Sequence, residues 1–137
     1  MYARAARLAT VLGITATVIV VAAAGGVFAY EAAQSNERQA LAAALAGGDP
    51  TKAADHIQQF GCGGCHTIAG IRGAKGMVGP PLQQIRQRVF VGSRPNTVEN
   101  LVEWIVNPKS INSQTPMPVT GISPNQARDV VAYLYAR

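Results

Sequence analysis

The sequence predicts an all-α molecule, a soluble helical domain carried behind one N-terminal membrane helix. Three observations lead there. Leu8 to Tyr30 contains no charged residue, and as a helix it would span roughly 35 Å, enough to cross a bilayer core. Further along, apolar residues recur at three- and four-residue spacings in separate segments, the period of helices with one buried face. No run in the soluble part alternates apolar with polar residues as a half-buried strand would.

The chain therefore divides into an anchor (residues 1–30), an alanine-rich helical stalk (31–48) and a domain (49–137). The competing reading of the N-terminus is a cleaved signal peptide, with Leu8 to Val21 as its apolar region and Ala22-Ala23-Ala24 or Val27-Phe28-Ala29 as the cleavage site. Under either reading Arg4 and Arg7 precede the span and Glu31 follows it, so the N-terminus stays in the cytoplasm and the domain lies outside. Ala9, Gly13 and Thr17 recur every four residues, a stripe that suits a partner transmembrane helix. Ordinary small residues of a membrane helix explain it equally well. From Asp49 onward nine basic residues stand against five acidic ones. That balance is too slight, and too poor in interleaved aromatics, to argue for nucleic acid, and none is expected as a partner.

Each element has its own signal. Glu31 to Ala46 is rich in helix formers and poor in bulk, so the membrane helix continues as the stalk. Gly47-Gly48 stops it, and Asp49-Pro50 starts the next helix as N-cap and first-turn proline. There Ala53, Ile57 and Phe60 share a face, while His56, beside Asp55, is expected in solvent. A glycine-dense loop, Thr67 to Val78, leads to Gly79-Pro80-Pro81-Leu82 and then to a short helix from Leu82 to about Val89. Asn96 is expected to cap the following helix, with Glu99 in its first turn and Val98, Leu101, Val102 and Ile105 as its buried face. Trp104 borders that face, and Asn107-Pro108 ends the helix. Lys109 to Ile122 has no periodicity. Ser123-Pro124-Asn125-Gln126 opens the last helix as a capping box, and Ala127, Val130, Val131 and Leu134 form its stripe.

The chemistry concentrates in Cys62-Gly63-Gly64-Cys65-His66, which holds both cysteines and one of the two histidines of the chain. A C-x-x-C-H run reads as a c-type haem attachment site: the two thiols add to the haem vinyl groups, and the histidine becomes an axial iron ligand. The glycines between the cysteines let backbone run along the porphyrin edge without a Cβ clash. The alternatives are weaker. Structural zinc needs four ligands, and only His56 remains to join these three. A redox dithiol would sit in a βαβ context, and a disulfide over two residues would leave His66 unexplained. For the second axial position, Met117 stands between Pro116 and Pro118 in a segment with little backbone freedom, and its thioether suits iron already held by a histidine. Met77, eleven residues past His66, is the competing methionine.

Residues 49–137 resemble the class I c-type cytochromes, through Cys62-x-x-Cys65-His66, Gly79-Pro80-Pro81-Leu82, the bracketed Met117 and the final Val131-Ala132-Tyr133-Leu134-Tyr135. The resemblance implies a class I cytochrome c fold whose first and last helices cross beside one covalent haem c. It implies His66 and Met117 as axial ligands, and Pro80 as acceptor of a hydrogen bond from the other nitrogen of His66. Gly61-Cys62-Gly63-Gly64-Cys65-His66-Thr67-Ile68, Pro95-Asn96-Thr97 and the Met-Pro loop are similar to cytochrome c modules of bacterial haem–copper oxidases. That similarity implies a bacterial inner-membrane protein with its haem domain in the periplasm.

With both axial positions filled, the iron can only change valence, and a thioether ligand favours the reduced state. The expected role is one-electron transfer without catalysis, at positive potential, within or beside a respiratory complex such as a terminal oxidase. A free tethered shuttle and the cytochrome subunit of a membrane dehydrogenase are the alternatives. An open-site sensor or peroxidase would require Met117 to stay off the iron. Arg72, Lys75, Arg86, Arg88 and Arg94, uninterrupted by any acidic residue, form either a solvated face or a docking patch for an acidic redox partner.

Overall fold

Helix α1 runs without a break from Tyr2 to Ala46 in the computed structural model, which describes the backbone of residues 2–137 and side chains from residue 13 onward. Arg4, Arg7 and Ala9 therefore have side chains outside the described residues. Two units follow from the packing, one ending at Glu37 and one comprising Arg38–Arg137.

The first unit is the exposed part of α1. Val18, Ile19, Val20 and Val21 occupy successive positions around the helix, and each is exposed by more than 60%. A helix that is apolar on every side and uncovered by protein needs an apolar surrounding. Residues Gly13–Ala46 are long and apolar enough to be a candidate membrane span. The Thr17 hydroxyl donates to the Gly13 carbonyl at 2.9 Å, which satisfies it within its own helix. Above Gly13 the space is open.

The second unit begins inside the stretch expected as stalk. Ala42 and Ala46 are buried, at 1% and 0% exposure, so the final turns of α1 belong to the domain's own packing. Gly47, at φ +64°, ends the helix, and its N–H returns to the Ala43 carbonyl at 2.9 Å. Gly48 is pressed so closely on the last helix that a Cβ would lie 2.3 Å from the Arg128 carbonyl carbon. Asp49 then caps a 3₁₀ turn, Pro50–Lys52, that leads into α2, Ala53–Gln59.

Helix α3 is the single turn Cys62–Cys65, α4 is Val98–Val106 and α5 is Pro124–Tyr135. Ser123 and Gln126 form the capping box at the start of α5. The core is built where α2 and α4 meet α5: Ile57, Leu101, Ile105, Val130 and Val131 are all buried. Fully burying a side chain such as Ile57 or Val131 contributes about 2 kcal/mol.

Four local expectations change. His56 is not in solvent: its Nε2 lies 3.2 Å from Asp129 Oδ2, with side chains 16% and 15% exposed. Asp129 Oδ1 also accepts the Asp49 N–H at 2.6 Å, so one carboxylate on α5 holds both the start of the domain and α2. The helix expected from Leu82 to Val89 shrinks to a 3₁₀ turn, Ile85–Gln87, because Gln84 takes a left-handed φ of 53° and Arg88 is already extended. A two-stranded ribbon follows, β1 (Phe90–Val91) antiparallel to β2 (Arg94–Pro95), too short to show alternation. Finally, Thr97 caps α4 in place of Asn96, accepting the Asn100 N–H at 3.2 Å. Asn96 turns back and donates to the carbonyls of Ile85 and Arg88 at 2.7 and 3.0 Å.

Candidate functional site

Helix α2 delivers the cysteine motif. After Gln59 the chain reverses at Gly61, whose φ of +68° is open to glycine at little cost, and Cys62–Cys65 makes one helical turn. His66 leaves it in extended conformation. The two cysteines are not joined in a disulfide, and burial pushes the Cys62 thiol up from its ordinary pKa. A redox dithiol needs the opposite shift. Gly63 packs on the glycine loop, where a Cβ would come 2.8 Å from Ala74 Cα, whereas Gly64 faces open space.

The segment Gly79-Pro80-Pro81-Leu82 lies alongside His66 and is fastened at both ends. The Gly79 N–H donates to the Cys65 carbonyl at 2.8 Å, and the Leu82 N–H to the Thr67 carbonyl at 2.9 Å. The prolines between have no N–H to satisfy, so their carbonyls are free to accept. The Pro80 carbonyl lies 2.7 Å from His66 Nδ1. With the proton on Nδ1, Nε2 keeps its lone pair. The imidazole also rests flat on Gly79, where a Cβ would fall 2.3 Å from His66 Cε1. That contact explains a glycine whose φ is otherwise ordinary.

These residues open onto a cavity of about 340 Å³. Cys62, Cys65, His66, Pro80 and Met117 all line it. Its walls are otherwise largely apolar, with Ile57 and Phe60 from α2, Trp104 from α4 and Leu134 from α5. Met117 is half-buried and its N–H donates to Thr115 Oγ1 at 3.3 Å, while Thr115 itself is 8% exposed. Met77 is 91% exposed and takes no part in the lining.

The donor set fits a haem and fits zinc poorly. Among the described residues no three of His, Cys, Asp and Glu gather as a metal cluster. Two thiols, one imidazole and one thioether facing a mostly apolar cavity are instead the kinds of group from which a haem takes two covalent attachments and two axial donors.

Arg88 was not singled out in the sequence beyond its place in the basic run, yet it is the one side chain of formal charge in the cavity lining among the described residues. Its Nη2 donates to the Pro81 carbonyl. No spacing signal could have found it, since the contact depends on the left-handed turn at Gln84. The basic run itself is thinned by pairing: Arg94 bonds Glu103 at 2.7 Å, leaving Arg72, Lys75 and Arg86 exposed.

A protein-family model described as Cytochrome c matches residues 50–136. No curated protein and no solved structure matches the chain.

Proposed function

The chain belongs to the cytochrome c family and carries one covalent haem c, and from that premise we propose that it passes single electrons on the outer, periplasmic side of a bacterial inner membrane. In this reading Cys62 and Cys65 would hold the haem covalently, and His66 and Met117 would be its axial ligands. When bound, the group supplies a one-electron couple between ferric and ferrous iron. The observation that supports the reading best is that His66 and Met117, distant in sequence, line one cavity with both thiols.

The remaining work falls to the protein. The Pro80 carbonyl fixes the tautomer and ring orientation of His66 and raises its basicity as a donor. Met117, held by its neighbouring prolines and Thr115, offers a soft donor that favours the reduced state. Apolar walls from α2, α4 and α5 keep water from the centre, which raises the potential further. Arg72, Lys75 and Arg86 remain available to an acidic redox partner.

Burial of Ala42 and Ala46 shortens the free stalk and favours a fixed subunit of a respiratory membrane complex, such as a terminal oxidase, over a freely ranging shuttle. Co-purification with such a complex in mild detergent separates the two. The ligand set is tested by Met117→Ala: the methionine-to-iron charge-transfer band disappears and the reduced protein gains carbon monoxide binding. Retention of the band would transfer the role to another residue, and Met77→Ala is the control that leaves it intact.

A further inference from the structure

We infer that Arg88 is a positioning residue for the His66 imidazole, acting through the paired prolines; the inference rests on His66 being the axial ligand. The geometry is that of one peptide unit held on both edges. The Pro81 carbonyl and the Leu82 N–H belong to the same planar group. Arg88 Nη2 donates to the carbonyl, and the N–H donates to the Thr67 carbonyl at 2.9 Å. The ring of Pro81 fixes its φ, so a single torsion, ψ of Pro81, separates this clamped plane from the preceding peptide. That preceding peptide carries the Pro80 carbonyl, 2.7 Å from His66 Nδ1.

Arg88 is itself held in place. Asn96 Nδ2 donates to the Arg88 carbonyl at 3.0 Å and to the Ile85 carbonyl at 2.7 Å, and the Asn96 N–H meets the Val89 carbonyl at 2.9 Å. The loop before α4 thus connects to the imidazole through two side chains, Asn96 and Arg88, and two successive peptides, Pro81–Leu82 and Pro80–Pro81. A guanidinium suits this position because it presents several donors from a rigid plane and stays charged at the cavity wall. Without it, the Pro81 carbonyl would lose its partner and the clamped plane could rotate, carrying the Pro80 acceptor away from Nδ1.

The test reads the proton on His66 Nδ1 directly, by NMR on the haem-loaded full chain in its reduced, diamagnetic state. Arg88→Met removes the donor and keeps the apolar stem. It is expected to speed exchange of the Nδ1 proton about tenfold, the factor that corresponds to one net hydrogen bond, and to move its resonance upfield. Arg88→Gln, polar but too short to reach, gives the same change. Arg88→Lys, which can still donate to one carbonyl, restores exchange to near the wild-type rate. A residue that served only to stabilise the loop would lower the unfolding midpoint and leave the Nδ1 proton alone. Wild-type exchange in both Arg88→Met and Arg88→Gln overturns the inference. Failure of the ligand assignment looks different: the wild-type protein would then show no ring-current-shifted imidazole resonances from His66 at all.

Discussion

Two regions of the domain hold the site by different means. The helical frame, α2 and α5 with α4 against them, is fixed by burial: Ala53, Ile57 and Val131 are no more than 1% exposed. The wall from Thr67 to Thr97 buries only separate residues, Ile68, Ile71, Ala74, Ile85 and Val91, and no continuous helical face. Met77, Val78 and Val89 are 91%, 78% and 72% exposed, and the segment is pinned by separate hydrogen bonds at Gly79, Pro80, Leu82 and Asn96. Apolar packing is cooperative and non-directional, so the frame supplies stability. Hydrogen bonds to single carbonyls are directional, so the wall supplies orientation. Substitutions in the frame should act on unfolding, and those in the wall on the imidazole.

The largest expected effect lies in the frame. Ile57→Ala removes a side chain that is 1% exposed and should cost about 3 kcal/mol, as large-to-small core substitutions do, measured by denaturant unfolding of the haem-loaded protein. A cost below about 1 kcal/mol would mean that the α2–α5 crossing collapses around the gap. Next comes Gly79→Ala in the wall, where the new Cβ would fall 2.3 Å from His66 Cε1. The overpacking itself should cost about 2 kcal/mol. Its clearer signature is displacement of the ring from the Pro80 carbonyl, seen as a change in the axial-ligand spectrum. An unchanged spectrum would show that the ring can shift without losing its acceptor, and would blur the contrast between frame and wall.

The same contrast explains what could be read in the sequence. The frame announces itself through periodic apolar residues and caps: the Asp49 cap, the α2 face of Ala53 and Ile57, the Ser123 capping box and the stripe Ala127, Val130, Val131, Leu134 are all local patterns. The cysteine motif and the proline-bracketed Met117 are local too, which is why both could be singled out before any fold was known. The wall misleads. Leu82, Ile85 and Val89 have helical spacing, yet the left-handed Gln84 breaks the helix, and no pattern marks a glutamine for that conformation. Asn96 and Thr97 are both good caps, and the choice went to Thr97 because Asn96 was needed by two carbonyls upstream. His56 and Asp129 meet across 73 positions, a pairing that only the helix crossing creates. Arg88 reaches Pro81 for the same kind of reason.

The smallest expected effect tests whether the outer edge of the wall needs its ion pair. Arg94 on β2 bonds Glu103 on α4 at 2.7 Å, but the side chains are 43% and 39% exposed, so water screens the pair and an exposed ion pair of this kind contributes about 0.5 kcal/mol. Glu103 also accepts from Ser110 at 2.8 Å, so its carboxylate keeps a partner when Arg94 is removed. The ribbon has a second attachment, at Gly92, where a Cβ would come 2.6 Å from the Trp104 ring. Arg94→Ala should therefore leave the ribbon seated and the axial-ligand spectrum unchanged. In a double-mutant cycle with Glu103→Gln, the coupling should be about 0.5 kcal/mol and shrink with added salt. A coupling of about 2 kcal/mol that persists at high salt would place this pair among the desolvated contacts, and the wall's outer edge would then be held as firmly as the helical frame.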